Sequence, residues 1–323
     1  MPASFQDILN SRLFKFIVGE KVDGHATEFF VHEEAIVQLS RPLEALMRGG
    51  MSESQAECTV WDDVSKETFE RFVQFAYTGD YTVPIPEYKV MRKDRSDSSE
   101  ELYLRLSIEN MKEKLKEENL GGQRGIEPLC ETPLPKAPPE PAERPLAHVF
   151  SSTTSEVGLN WLFRRITNPE RYPVKCAADF KQLTLPLLAL RNTYDYTCEP
   201  REWFYPYQSY SNVFISHAAL YILGDFRLVN SLKALALHKL HKTLCIFQLK
   251  NENIGDVIDL ARYVYAEEGG EEGSGGEIGA LRGLVCLYMA VNALALSLDD
   301  GFMELLGEGG QFVKDFFRFQ VQR

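Results

Sequence analysis

Hydrophobic and polar positions near the start of the chain follow short periods that predict strands and helices in turn. Residues 15–18 and 28–32 are β-rich runs on either side of Asp23 and Gly24, a pair that favours a tight reversal between antiparallel strands. Cys58 and Val60 alternate with Thr59 and Trp61, which predicts a third short strand. The pattern therefore indicates a β-hairpin followed, after an interval, by one more strand.

Helices are predicted between and after these strands. Residues 33–39 are helical in character and begin with two glutamates, which suit the positive end of a helix. Ser40 can cap a second helix, which residues 49–50, both glycine, bring to an end. A third helix begins after Ser65 and ends at Gly79. Its apolar stripe has the spacing i, i+3, i+4, i+7, i+8 and consists of Phe69, Phe72, Val73, Ala76 and Tyr77.

The first residues, MPASFQDILNSRLF, predict a short amphipathic helix with Phe5, Ile8 and Leu9 on one side. They do not have the long apolar core of a signal peptide. We expect this helix to pack on its own domain or on a second copy of the chain.

The order of these elements, hairpin, helix pair, strand and helix ending in Tyr-Thr-Gly, resembles that of the BTB/POZ family of protein-interaction domains. The matching positions are Phe30, His32, Ser40, Leu43, Phe69, Tyr77 and Gly79. The resemblance implies an α+β fold in which residues 1–84 form a BTB/POZ core, a short β-sheet flanked by helices. It also implies a buried structural role for His32, and the sequence agrees, because no second histidine completes a metal-binding helix after it.

Met51, Ser52 and Glu53 resemble the hydrophobic-x-Glu element by which many BTB adaptors contact a cullin-type ubiquitin ligase scaffold. An apolar anchor beside a charge is a common layout for a binding hot spot. The alternative is that Met51 only covers the end of the preceding helix and that Glu53 is solvated. Both interpretations stay open at this point.

The chain changes character after residue 84. Residues 85–158 contain a charged helical stretch and a proline-rich run, GGQRGIEPLCETPLPKAPPEPAERP, which predicts a flexible linker. Residues 159–323 predict a mostly α-helical region with a disordered acidic, glycine-rich loop near 267–277. Part of this region resembles the helices that follow the BTB core in a group of fungal proteins, and the BACK-type helices of other BTB adaptors.

Three features of the second half allow a functional and a structural interpretation. His238 and His241 have a metal-compatible spacing, but no acidic or cysteine ligand accompanies them, so we predict an exposed polar face. Residues 194–210 are rich in aromatic side chains, for which burial against helices is the commoner fate. Residues 283–298 are apolar but too short for a spanning helix, which predicts a buried core helix.

Composition narrows the class of protein. The net charge of −12 over 323 residues argues against a nonspecific nucleic-acid binder, which needs a basic surface. The six cysteines contain no CxxC pair, which indicates reduced thiols in an intracellular protein of the cytoplasm, the nucleus or both. The sequence has no phosphate-binding loop, nucleophile elbow or metal-ligand quartet, so we expect no enzymatic activity, cofactor or metal.

The resemblance implies a protein-interaction module that forms a homodimer, and two functions stay open for it. The first is a substrate adaptor that binds a cullin scaffold and a client protein, with no nucleic acid and no membrane as partner. The second is a BTB-based scaffold or transcriptional co-regulator that does not bind a ligase. In an adaptor, residues 203–210 and the helices after them are the expected client-facing surface, and deletion after Val149 is expected to remove client binding alone.

Overall fold

The protein is described in a computed structural model. It describes residues 4–22, 25–88, 177–183, 185, 187, 198–201, 204–205, 207–267 and 278–321. We call residues 4–88 the α/β region and the described residues from 177 onward the helical region. Both belong to one compact unit, so the boundary expected at residue 84 lies inside that unit. The predicted charged helix, proline-rich linker and acidic loop lie outside the described residues, as does the predicted start of the second half near residue 159.

The α/β region begins with a short helix and a three-stranded sheet. Helix α1 (Phe5–Asn10) is capped by Ser4, whose side chain accepts a hydrogen bond from the Asp7 backbone. Strands β1 (Leu13–Val22) and β2 (His25–His32) are antiparallel, which confirms the predicted hairpin. Strand β3 (Cys58–Trp61) runs parallel to β1, so the order in the sheet is β2-β1-β3.

Helices α2 (Glu33–Val37), α3 (Arg41–Arg48), α4 (Ser52–Ala56) and α5 (Lys66–Thr78) complete this region. The predicted caps are confirmed, because Ser40 and Ser65 accept hydrogen bonds from the first turns of α3 and α5. Gly79 ends α5 with φ +73°, a left-handed conformation that favours glycine. Helix α4 was not predicted from the sequence, since its five residues are too few to show a periodic pattern.

One face of the sheet packs on α5 through an aromatic core. Phe16, Trp61 and Phe69 are buried. The Trp61 ring meets the other two rings edge to face, and the centroids of the Phe16 and Phe69 rings are 5.0 Å apart. Such offset and edge-to-face pairs add to the free energy gained by burying apolar surface. This core fixes the sheet against α5 and so determines the direction in which the chain leaves at Gly79.

The helical region has its own core. Its elements in chain order are α6 (Ala177–Lys181), α7 (Ser211–Phe226), α8 (Asn230–Ile246), a 3-10 turn (Asn251–Asn253), α9 (Ile254–Glu267), α10 (Ala280–Val291), α11 (Ala293–Leu296), α12 (Asp300–Gly307) and α13 (Gly310–Val321). Short strands β4 (Glu87–Tyr88) and β5 (Gln208–Ser209) pair antiparallel, joining the end of the α/β region to the start of α7. A mixed α+β fold is thus confirmed.

The buried apolar helix predicted at residues 283–298 is confirmed only in its first part, as α10, which ends at Val291, whereas Leu294 and Leu298 are exposed. All residues of α10 except the last are buried, because α9, α13 and other helices surround it. In the part of the chain that the structure describes, no helix has both the length and the apolar character needed to cross a membrane.

Helix α7 continues past Gly224, a residue type that often ends a helix, as far as Phe226. Gly224 is buried against the start of α8. The stop comes at Leu228, where φ is +54°, with the Leu228 and Val229 amides donating to carbonyls of the last turn. This is the Schellman arrangement, in which glycine usually occupies the left-handed position.

Replacing Leu228 by glycine should therefore stabilise the protein. The left-handed conformation costs a residue with a side chain about 1 kcal/mol or more, and Leu228 is mostly exposed, so little burial is lost. We expect Leu228→Gly to raise the free energy of unfolding in urea by about 0.5–1 kcal/mol. Leu298→Gly is the matched control, because Leu298 is exposed but has no positive φ. A gain of equal size in the control would contradict the prediction.

Candidate interaction site

Met51, Ser52 and Glu53, called the triplet below, lie where α3 gives way to α4. Gly50 turns the chain with φ +75°, a conformation that favours glycine. Its amide donates to the Ser54 hydroxyl over 3.0 Å, and the Gln55 side chain donates to its carbonyl over 2.9 Å. These bonds close the turn on itself, so the triplet has a defined conformation.

The triplet presents an apolar side chain next to a carboxylate. Met51 is 64% exposed. The Glu53 carboxylate accepts a hydrogen bond from the Ser52 hydroxyl over 2.9 Å. Its own backbone amide and that hydroxyl lower the pKa of Glu53. An exposed methionine beside a fixed charge is available to a partner protein.

Arg12 holds both ends of the chain segment that carries the triplet. Its Nη2 donates to the Met47 carbonyl over 2.7 Å, and its Nη1 pairs with Glu57 over 2.8 Å. Glu57 follows α4 and has φ +52°, an uncommon conformation for a residue with a side chain. Arg12 thus joins the last turn of α3 to the end of α4, with the triplet between them.

Arg12 is itself fixed by Glu33, a buried carboxylate at the start of α2. Glu33 forms ion pairs with both Arg12 and Arg48, and Arg48 also pairs with Glu34 over 2.5 Å. Burial acts to raise the pKa of Glu33, but hydrogen bonds from the two arginines outweigh it, so the pKa is lowered. Strand β1, α2 and α3 are therefore tied together by one buried negative charge.

An open groove of about 620 Å³ lies between α2 and α3, on the same helix that leads into the triplet. Its lining is Glu34, Val37, Gln38, Ser40, Arg41, Glu44 and Arg48. Because these side chains include both signs of charge, the groove does not define one class of ligand by itself.

The remaining positions of the family resemblance fall into buried and exposed sets. Leu43 and Phe69 are buried in the core, and Ser40 caps α3. Phe30, by contrast, is 62% exposed on the outer side of β2, while its neighbour Phe29 packs against the core. The alternation of side chains along a strand explains this difference.

His32 is half-buried at the end of β2, where Tyr77 holds it. The Tyr77 hydroxyl accepts a hydrogen bond from the His32 backbone amide over 3.0 Å and lies 2.7 Å from its Nδ1. The ring thus links the end of the sheet to the last turn of α5, immediately before Gly79. The contact joins the sheet to the closing helix of the α/β region.

Behind this surface, a buried ion pair joins the α/β region to the helical region. Asp80 follows Gly79 directly, and its Oδ1 lies 2.6 Å from Nζ of Lys239 on α8, with both side chains fully buried. Lys239 also donates to the carbonyls of Tyr81, over 2.5 Å, and Cys198. Three acceptors match the three donors of an ammonium group, so the buried charge is fully paired.

Tyr81 and His217 extend this polar contact. The Tyr81 hydroxyl and His217 Nδ1 lie 2.8 Å apart and share a hydrogen bond, and both side chains are buried. Burial, with the positive charges of Lys239 and Arg71 nearby, holds the pKa of His217 well below its usual range. We call Asp80, Tyr81, His217 and Lys239 the joint.

A second contact between the two regions involves Arg227, at the end of α7. Its guanidinium lies 4.0 Å from the centroid of the Trp61 ring, on β3. Its carbonyl accepts a hydrogen bond from the Ser40 hydroxyl over 2.7 Å. The cap of α3 and the edge of the sheet are thus attached to the helical region as well.

The predicted exposed polar face on α8 is wrong. Lys239 is in the joint, His241 is buried and its Nε2 lies 2.9 Å from the Phe180 carbonyl, and His238 is half-buried with Nδ1 3.2 Å from the Leu185 carbonyl. A signal for this existed in the sequence, because the apolar residues of α8 lie on all sides of the helix. A lysine that points into such a packed helix interface, as Lys239 does, needs a partner for its charge.

The aromatic residues expected to face a client are mainly structural. Phe204, Tyr210, Phe214 and Phe247 form a cluster with ring centroids 5.1 to 6.2 Å apart. Tyr207 is 62% exposed. Among the described aromatic residues from 204 to 210, Tyr207 is therefore the one that is exposed enough to contact a client protein.

In the described ranges, no three side chains of histidine, cysteine, aspartate or glutamate come together as a metal site would require. No family model, curated protein or solved structure matches this chain. The case for its function therefore depends on the geometry of its own residues.

Removing the lysine of the joint should strongly destabilise the protein. Lys239→Met leaves the buried Asp80 carboxylate without its positive counter-charge, which costs about 3–5 kcal/mol. Lys242→Met is the matched control on the same helix, because Lys242 is half-exposed and forms a surface pair with Glu199, which is worth less than about 1 kcal/mol. Urea denaturation measures both, and equal losses would show that Lys239 has no special role.

Stability should also fall as the pH drops below neutral. Burial lowers the pKa of both His217 and His241, so each stays neutral in the folded protein while the unfolded chain takes up a proton below about pH 6.5. The free energy of unfolding is therefore expected to decrease between about pH 7 and pH 5.5. His217→Asn should be less stable at pH 7 but lose less over this interval. Parallel profiles would contradict this assignment.

Proposed function

We propose that this chain is a protein-interaction module of the BTB/POZ type that associates with itself and recruits a partner through the triplet. The observation that carries the proposal is the exposed Met51 beside the charged Glu53, on a segment that Arg12 holds at both ends. Binding favours such a segment, because little conformational entropy is lost when the partner docks.

The arrangement of the α/β region supports the family assignment. Its hairpin, paired short helices, third strand parallel to the first, and closing helix follow the order that the BTB/POZ resemblance implies. The positions Ser40, Leu43, Phe69, Tyr77 and Gly79 act as caps, core residues and helix end.

For the partner, we propose a cullin-type scaffold, which makes the chain a substrate adaptor of a ubiquitin ligase. A scaffold or transcriptional co-regulator without ligase binding is the other outcome of the test. Affinity purification of the full chain separates them. Recovery of cullin and ligase subunits supports the adaptor, whereas recovery of the chain itself with chromatin factors alone refutes it.

Changing the triplet should abolish scaffold binding without unfolding the protein. Met51→Ala removes the exposed apolar anchor, and Glu53→Lys reverses the charge in the first turn of α4. We expect the affinity for a purified cullin scaffold to fall by about a hundredfold, the effect of losing one hot spot of about 3 kcal/mol. Binding is measured by isothermal titration calorimetry, and the melting temperature should stay within a few degrees of the wild type.

Met303→Ala together with Glu304→Lys is the matched control. Met303 is 52% exposed and Glu304 is exposed on α12, away from the triplet in the chain, so the same chemical change is made elsewhere. The control should bind the scaffold as the wild type does. Unchanged binding by the triplet variant would refute the proposed contact.

A further inference from the structure

The sheet has an outer face that does not contact the aromatic core. The register places alternate residues of each strand on that face, because directly opposite residues share a side of the sheet. We call it the outer face, and it includes Leu13, Lys15, Ile17, Glu28, Phe30, His32, Cys58 and Val60. The buried partners Phe14, Phe16 and Val31 lie on the other side.

The outer face is unusually apolar for a solvated surface. Leu13, Phe30 and Val60 are 49%, 62% and 59% exposed, and one of them lies on each of the three strands. When one face of an antiparallel sheet packs on the core, the solvated face usually carries polar side chains. Exposed apolar side chains grouped in this way mark a surface that another molecule covers.

Two opposite charges lie among these apolar side chains. Lys15 Nζ and Glu28 Oε1 are 2.6 Å apart, on neighbouring strands. Lys15 is directly opposite Phe30, and Glu28 is directly opposite Ile17, whose other neighbour is Val60. The residues directly opposite the pair are thus largely apolar, and its two charges cancel one another.

We propose that the outer face is the surface on which a second copy of the chain docks, which rests on the self-association in the proposed function. In a two-fold interface the same patch meets itself, so each positive group must find a negative group of the same patch. Lys15 and Glu28 satisfy this condition, because a two-fold axis between them sets Lys15 of each copy against the carboxylate of the other.

The charge pattern favours a second copy over a partner of another kind. A basic or an acidic peptide would meet one attractive and one repulsive charge on this face. Two copies, each with a net charge of −12, repel one another at long range, so their association needs local complementarity of this sort. A face of three short strands is small, which predicts a dissociation constant on the order of 10 µM.

Single charge reversals test the pairing. Lys15→Glu gives each copy two negative charges on the outer face, and Glu28→Lys gives two positive charges, so each variant repels itself. We expect each to raise the dissociation constant of the homodimer by about tenfold or more in sedimentation velocity. An equimolar mixture of the two variants should form a heterodimer about as tight as the wild-type homodimer, because opposite faces then meet.

Glu70→Lys is the control, since Glu70 is exposed on α5, whose core side packs on the opposite face of the sheet. It should dimerise as the wild type does. All variants are checked for wild-type melting temperatures, so that loss of association is not loss of folding.

Three results would overturn the inference. Single reversals that dimerise like the wild type would place self-association elsewhere and leave the proposed function intact. A mixture that stays monomeric would show that the charges do not pair between copies. A wild-type chain that is monomeric at about 200 µM, well above the expected constant, would refute both this inference and the self-association in the proposed function.

Discussion

The ion pair of Asp80 and Lys239 is the contact on which the rest of the structure depends. Two charges without access to water are tolerated only because each is paired and the ammonium group has three acceptors. Separating the two regions would break this ion pair and the Tyr81–His217 hydrogen bond and would expose the buried Tyr81 ring to water. The α/β region is therefore not an independent unit, and deletion after Val149 would remove the partners of Asp80 and Tyr81 as well as any client surface. Point variants on the exposed side chains are the cleaner way to separate the functions.

Local patterns predicted the α/β region well. Strands, helix caps and the left-handed glycine at residue 79 depend on side chains close in sequence, and the hydroxyls of Ser40 and Ser65 cap the helices that follow them. The triplet could be proposed from sequence because its residues are contiguous. Its conformation could not, since it depends on Arg12, which lies 35 residues before the Met47 carbonyl that it binds.

What the sequence did not show depends on contacts between distant residues. Lys239 and His241 look like surface residues until α6 and residues 80–81 are packed against α8. Likewise, glycine is a common helix-ending residue, yet Gly224 lies inside α7, where the helix comes close to Lys233 of α8. Leu228 takes the left-handed position that ends the helix instead. In both cases tertiary packing overrides a local preference, which single-residue propensity cannot anticipate.

Strand β1 connects the two proposed surfaces. Arg12, just before it, holds the segment of the triplet, while Lys15 within it contributes a charge to the outer face and donates its backbone amide to the Glu57 carbonyl over 2.9 Å. The outer face and the triplet are thus parts of one rigid framework rather than separate mobile loops. Because the outer face and the triplet are rigidly connected, docking a second copy should place the two triplets of the dimer in a fixed relative orientation. This arrangement favours a partner that binds both triplets at once.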